Sequence, residues 1–333
     1  MLMNNFGRIF RVSVFGESHG DYVGVTIDGV PAGIAFGMED MIDDLQRRQS
    51  GLKGTTSRKE QDMPIIISGV FEGHTTGAPL SILFKNKDIR SRDYSFVKSI
   101  PRPGHADFVA GKKYGGYQDY RGGGHFSGRL TLPLVAAGAL AKKIIAPIVV
   151  NASILTIGGE KDYTFVLEKA IKKGDSLGGI LQCKATGMPT GLGEPFFDSL
   201  ESVISHIVFS IPAVKGIEFG LGFAFAGKYG SEANDVIVDA NGKTATNNSG
   251  GINGGISNGN ELQFNVVVKP TSSIALEQRS YNFEKDKIDK FRIKGRHDTC
   301  IALRVPPVLE AVTAIVLADM LMINRAISHA RKP

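Results

Sequence analysis

The 333-residue chain has no tryptophan and only two cysteines, Cys183 and Cys300. The two thiols stand in no metal-ligand or redox spacing. That excludes a disulfide-stapled small fold and a cysteine-based zinc site, and it suits a reducing compartment. Long runs of one charge are missing, so there is no polybasic arm or acidic tail. A long uninterrupted apolar run is missing too. The most apolar stretch, Val308 to Ile323, carries Glu310 and Asp319, and it reads as a buried helix, not a membrane span. The start, MLMNNFGRIFRVSVFGES, lacks the charged, apolar and small-residue succession of a secretion signal. These absences together lead us to expect a cytoplasmic protein with no membrane partner.

What the chain has in excess is glycine, 41 residues, and a net charge of +6. Glycine at this level means many tight turns or close approaches of backbone to ligand. The basic residues stand singly or in pairs beside glycine, histidine and aspartate, which favours small anions over a polynucleotide. The stretch from Pro101 to Arg129, PRPGHADFVAGKKYGGYQDYRGGGHFSGR, concentrates these features. It holds His105 and His125, the basic residues Arg102, Lys112, Lys113, Arg121 and Arg129, and five aromatic rings. Disordered linkers are poor in aromatics. The segment after it, TLPLVAAGALAKKII, reads as a helix with Pro133 near its start. A glycine-rich loop feeding a helix N-terminus is suited to anions, because free N–H groups and the positive end of the dipole converge there. An RNA-binding reading of RGGG is the competitor, but such segments normally recur in disordered tracts and this one is single.

In chain order, residues 8–15 read as a strand leading to Gly16-Glu17-Ser18-His19-Gly20. His19 would then stand exposed at a strand end. Strand 22–27 follows, then a helix over Met38–Arg48 with apolar residues at Met38, Met41, Ile42 and Leu45. Two strands, Pro64–Phe71 and Ala78–Phe84, flank the turn GHTTG, where His74 has no evident chemical role. The second half repeats the plan. Gly174-Asp175 and Gly187-Met188-Pro189-Thr190-Gly191 echo Gly20-Asp21 and Gly29-Val30-Pro31-Ala32-Gly33. A helix over Asp198–Phe209 follows, with Asp198 as N-cap and His206 read as structural. A strand over Glu261–Lys269 comes next. Each half then ends in a long apolar helix, Thr131–Ile145 or Pro307–Ile323. The expectation is one domain over residues 1–333, built from two halves of about 1–147 and 148–333, with the long helices inside and sheets covering them.

Six segments in order, FGESHG (15–20), RPGHAD (102–107), RGGG with S-x-R (121–129), GLGEP, KPTSS (269–273) and GRHD-x-C (295–300), resemble chorismate synthase over nearly the whole chain. That resemblance implies an α+β sandwich, with a helical core between two antiparallel β-sheets related by a pseudo-twofold axis, assembled as a homotetramer. It implies a lyase of the shikimate pathway that eliminates phosphate from 5-enolpyruvylshikimate 3-phosphate to give chorismate. The implied cofactor is reduced FMN, with NADP only an associated term, and no net oxidation occurs. Matched motif by motif, His19 and His105 are the acid–base histidines and Asp298 is the carboxylate beside the flavin. Arg48, Arg102, Arg129 and Arg296 are anion contacts. His125, Phe126, Ser127, Pro212, Ala213, Gly254, Lys269, Pro270, Thr271, Ser272, Ser273 and Arg296 fall in flavin-binding segments, and no metal is implied. Charge supports the set independently, since arginine forks match both carboxylates and phosphate.

The sequence departs from the family where members read RGGGRSSAR and this chain has His125 and Phe126. An arginine common near Gly54 is also missing, with Lys53 or Arg58 left to stand in. The chain is short around Gly159–Lys173 and at its C-terminus, so the reduced flavin is expected from an external reductant. A phosphate-binding flavoprotein of another reaction class is the second alternative.

Overall fold

The computed structural model describes residues 4–58, 60–87, 91–293, 295 and 297–327. The first half contains β1 (Asn5–Phe6), β2 (Arg11–Gly16), β3 (Tyr22–Asp28), α1 (Glu39–Arg48), β4 (Ile65–Ser68), β5 (Val70–Phe71), β6 (His74–Thr75), β7 (Leu80–Lys85), α2 (Asp107–Lys113) and α3 (Thr131–Ile145). The second contains β8 (Val149–Ile157), α4 (Thr164–Lys173), β9 (Gly179–Thr186), α5 (Leu200–Val208), β10 (Val214–Phe219), α6 (Gly230–Ala233), β11 (Ile252–Asn253), β12 (Ile256–Ser257), β13 (Leu262–Val268), β14 (Gln278–Asn282), β15 (Lys287–Phe291) and α7 (Pro306–Ala326).

Two antiparallel sheets carry the architecture. One has the order β1-β2-β3-β7-β4 and the other β8-β9-β13-β10. Apart from β1, the two orders correspond. In each, an antiparallel strand pair comes first (interrupted by α4 in the second half), then a helix, then two strands of which the later pairs with the first pair, then a long helix. The Gly20-Asp21 and Gly174-Asp175 segments both lead into the second strand of that pair. Side chains alternate as one covered face requires. Leu80, Ile82 and Phe84 of β7 are fully buried, as are Leu262, Phe264 and Val266 of β13.

The helices fill the space between. α3 packs on β3 and β7, α7 packs on β8 and β9, and α3 and α7 pack on each other. Their closest approach is at Gly138, where an added Cβ would fall 2.3 Å from the Cβ of Ala311. α7 is long and apolar enough to span a bilayer, yet most of it is buried inside the protein. Its two carboxylates explain how. Glu310 accepts from Arg47 at 2.6 and 2.7 Å, from Lys142 at 3.1 Å and from the Ala152 N–H at 3.1 Å. Burial pushes the Glu310 carboxyl up, but these donors outweigh it and hold it below the usual range. Asp319 accepts the N–H groups of Arg8, Ile9 and Phe10 at 2.9, 2.7 and 2.9 Å. Buried carboxylates with their lone pairs met in this way tie elements together.

Element ends differ from expectation in several places. α1 begins at Glu39, and α7 runs from Pro306 to Ala326. The helix expected from Asp198 begins at Leu200. Ser199 caps it by accepting the Ser202 N–H at 3.1 Å, while Asp198 pairs with Arg8 at 2.6 Å. The expected strand Pro64–Phe71 is divided at Gly69, where an added Cβ would fall 2.4 Å from Leu80 Cα.

Candidate active site

A cleft of about 770 Å³ opens where the loops before α3 and α7 converge. That volume is at the upper part of the range for small-molecule sites. Its lining combines apolar side chains, among them Val12, Val14, Leu134, Ile207 and Val308, with charged and hydroxyl groups.

The loop before α3 is shaped by three successive left-handed glycines, Gly122, Gly123 and Gly124, at φ 58°, 82° and 53°. Only glycine adopts such a run without strain. The conformation presses bare backbone against both histidines. A Cβ on Gly122 would lie 2.5 Å from the His19 ring, and one on Gly123 would lie 3.5 Å from the His105 ring. His19 is 7% exposed and meets Tyr94 edge-on, with centroids 5.4 Å apart. The loop is fastened to the end of β2, because Gly124 O accepts the Ser18 N–H at 3.1 Å and His125 Nδ1 lies 2.8 Å from Gly16 O.

His105 belongs to a different network. Its Nδ1 lies 2.6 Å from Asp107 Oδ1 and 3.1 Å from Arg102 Nη2. Arg102 forks onto Asp107, with Nε to Oδ2 and Nη2 to Oδ1 both at 2.7 Å, and its Nη1 donates to Ser273 Oγ at 3.0 Å. Burial pushes the Asp107 carboxyl up, but Arg102 and His105 together hold it well below the usual carboxylate range.

The cationic end is built around Arg48, which is 3% exposed. Its Nε donates to Thr131 Oγ1 at 2.9 Å and its Nη2 to Gly128 O at 2.7 Å. Nη1 has no hydrogen-bond partner among the described residues and lies 3.8 Å from Asp62. Burial, with Arg304 and Arg129 nearby, pushes this guanidinium down to about 9, against the pull of Asp62 and Asp298. Arg129 pairs with Asp62 and donates to Asn86 Oδ1 at 2.8 Å. Arg304 donates to Arg48 O at 3.0 Å and pairs with Asp298 at 3.2 Å, and Asp298 also accepts the Thr56 N–H at 2.8 Å. Three arginines thus share two carboxylates, leaving an excess of positive charge for an anionic ligand.

Most of the expected site residues line this one cleft: His19, Arg48, Arg102, His105, His125, Phe126, Ser127, Arg129, Pro212, Ala213, Lys269 to Ser273 and Asp298. Lys269 Nζ and Ser272 Oγ both donate to Gly104 O, at 2.5 and 2.9 Å, which fastens KPTSS to the RPGHAD segment. Ser127 Oγ accepts the Arg129 N–H at 3.3 Å. Arg296 lies outside the described residues. Gly254 does not join the cleft. It sits exposed at the β11–β12 turn with φ 60°, the conformation that tight turn requires, and nothing lies within 4 Å of its absent Cβ.

His206, read from the sequence as structural, lines the cleft and meets Phe6 edge-on at 5.5 Å. Arg58 lines the cleft and pairs with Glu60 at 2.7 Å, whereas Lys53 is occupied with Glu168 and stays outside. Sequence reading missed Asp62, Asp107 and Arg304. Asp107 could have been found, since it stands inside RPGHAD. Asp62 and Arg304 carry no local signal. Among the described residues, no group of three or more histidine, cysteine or acidic side chains could hold a metal ion.

Comparison with known proteins agrees with this geometry. The profile of the chorismate synthase family matches residues 10–322. A chorismate synthase of Chitinophaga pinensis is 61% identical over 324 residues, covering 97% of this chain and 98% of the relative. One of Pyrococcus abyssi is 44% identical over 348 residues, covering 96% and 98%. A crystal structure of chorismate synthase superimposes with a TM-score of 0.73 at 27% identity, covering 96% of this chain and 93% of that one. With six motifs in order, five of them lining one cleft, and this extent of likeness, the chain belongs to the chorismate synthase family, whose members are lyases.

Proposed function

We propose that the cleft binds 5-enolpyruvylshikimate 3-phosphate beside reduced FMN and eliminates phosphate across the 1,4-positions to give chorismate. The observation that carries this reading is Arg48. A buried guanidinium with one nitrogen unpartnered is costly in the ligand-free protein, and a phosphate or carboxylate seated there would relieve the cost. The substrate brings two carboxylates and a phosphate, and Arg48, Arg129 and Arg304 offer fixed donors to such groups. His19, held between Gly122 and Tyr94, is the acid that protonates the departing phosphate.

The residues present also suit a flavin. Thr271 Oγ1 is buried with no partner among the described residues. The KPTSS backbone and Ala213, at φ 74°, form one rim of the cleft, and the apolar part of the lining suits a tricyclic ring. Lys269 to Ser273, Pro212, Ala213, Phe126 and Ser127 would hold the flavin, and Asp298 would face its proton-bearing edge. The chemistry that reduced FMN would supply when bound is electron density for the allylic system without net oxidation. His105 holds or moves a proton at its ring nitrogen facing the cleft. The wider reading is a cytoplasmic homotetramer served by an external flavin reductant. Large exposed rings at Phe196, Phe197 and Phe223, each at least 85% exposed, support an assembled form.

The test is an anaerobic assay with dithionite-reduced FMN and the enolpyruvyl phosphate substrate. Chorismate and phosphate should appear in equal amounts without consumption of reductant. Phosphate release coupled to loss of reductant would instead assign the cleft to another flavoprotein class. No chorismate from protein saturated with reduced flavin would end the reading.

A further inference from the structure

The two short distances at His105 Nδ1 cannot both be hydrogen bonds to the same lone pair. Were Nδ1 unprotonated, it could accept from Arg102 Nη2 at 3.1 Å, but its lone pair would then face the ionised Asp107 Oδ1 at 2.6 Å. Two acceptors at that distance repel. Arg102 Nη2 already has Asp107 Oδ1 at 2.7 Å, so it needs nothing from the ring. The consistent assignment is Nδ1–H donating to Asp107. We propose that Asp107 is the positioning residue of the reaction, fixing His105 in the Nδ1–H tautomer so that Nε2 alone presents a lone pair or a proton to the cleft. The proposal rests on the reading of His105 as a proton-handling group.

The carboxylate is built for this. Its side chain is 4% exposed. It is clamped by the Arg102 fork and by the Arg102 N–H at 3.0 Å, and Arg102 is clamped in turn by Ser273. The guanidinium expected to meet a substrate anion is therefore committed to Asp107. Arg102 acts two steps away from the ligand, and Ser273 joins the KPTSS rim to the histidine's support. The ring keeps its place because Gly123 has no side chain, and the nearest atoms to an added Cβ would be His105 Cε1 and Nε2 at 3.5 and 3.6 Å. A carboxylate behind an imidazole fixes tautomer and orientation and stabilises the charged ring during transfer.

Three measurements test it. Nitrogen-15 NMR of histidine-labelled protein without flavin, with His105 assigned by its loss in His105→Gln, should show Nδ1 protonated and Nε2 bare when the ring is neutral. In Asp107→Ala the two tautomers should mix. Anaerobic turnover of Asp107→Ala should fall about 10²-fold with KM within about twofold, and Asp107→Glu should recover part of the loss. In the double variant His105→Ala/Asp107→Ala, turnover should match His105→Ala alone, because a residue acting through His105 has nothing left to act on. Multiplying losses, or an unchanged tautomer in Asp107→Ala, would overturn the proposal and leave Asp107 as a packing residue. Asp107→Asn, which keeps the shape, covers the case in which the alanine variant does not fold. It should retain the fold and still lose turnover. Near-normal turnover of His105→Ala would refute the reading of His105 itself, and the NMR result would still stand or fall separately.

Discussion

The loops that lead into α3 and α7 occupy corresponding places in the chain order, yet they meet the cleft by different means. Before α3, three left-handed glycines supply bare backbone, and His19 and His105 pack against it. Before α7, the loop supplies side chains, with Asp298 and Arg304 paired across a single turn and tied to Thr56 and Arg48. One loop works by absence of side chains and the other by a fixed ion pair. A repeated topology thus offers two adjacent platforms, and a small difference in glycine content decides which presents backbone to the cleft and which presents charged side chains.

The largest effects should come from the glycine platform. His19→Ala should lower turnover about 10²–10⁴-fold, the usual size for a lost general acid, with FMN affinity little changed in a fluorescence titration. Gly122→Ala should approach the same loss. Its methyl would sit 2.5 Å from the His19 ring on a backbone at φ 58°, so either the ring or the loop must move. Near-normal turnover of Gly122→Ala would remove the basis for the contrast.

The ion-pair platform should give a smaller loss. Arg304→Ala should cost about 1.5–3 kcal/mol of transition-state binding, a ten- to hundredfold drop in kcat/KM, because a charged hydrogen-bond partner of Asp298 disappears. A loss matching that of His19→Ala would mean that the second loop also does proton chemistry.

Arg48 sharpens the comparison from the side of stability. Arg48→Met should abolish substrate binding but stabilise the ligand-free protein by about 1 kcal/mol, because a buried cation is replaced by apolar volume while Asp62 keeps Arg129. A calorimetric midpoint that falls would show Arg48 to be structural. The smallest effect should come from Gly33→Ala, at φ 87° with no neighbour within 4 Å of the new methyl. It should cost about 1 kcal/mol of stability by backbone strain alone and leave turnover intact, as the control for Gly122→Ala.

The motif residues were legible because their chemistry is local. GESHG, RPGHAD, RGGG and KPTSS each combine glycine with titratable or hydroxyl groups, and the fold brings them to one cleft. The repeat was legible because strand pair, helix, two strands and long helix leave the same sequence of turns and apolar runs twice. Asp62 was not legible, since its importance lies in standing between Arg48 and Arg129, which are far apart in sequence. Arg304 was hidden in the apolar run before α7. His206 was read as structural because its helix neighbours Ile204, Ile207 and Val208 are buried, a pattern that indicates packing and says nothing of the cleft that its own face meets. Gly254 carried over from the resemblance, but no side-chain chemistry fixes where a turn glycine points.

The carboxylate near the end of α7 sets the order in which the protein can be completed. Asp319 accepts the backbone of Arg8, Ile9 and Phe10, so the first strand region waits for partners 309 to 311 positions later in the chain. At synthesis rates of about 5–20 residues per second that wait is roughly 15–60 s. Asn4, Asn5 and Phe6, which line the cleft, can pair with β2 at once, but the three N–H groups at Arg8 to Phe10 lack their acceptor through this interval. The glycine loop and both histidines are therefore synthesised long before the carboxylate that ties the first residues of the chain to α7.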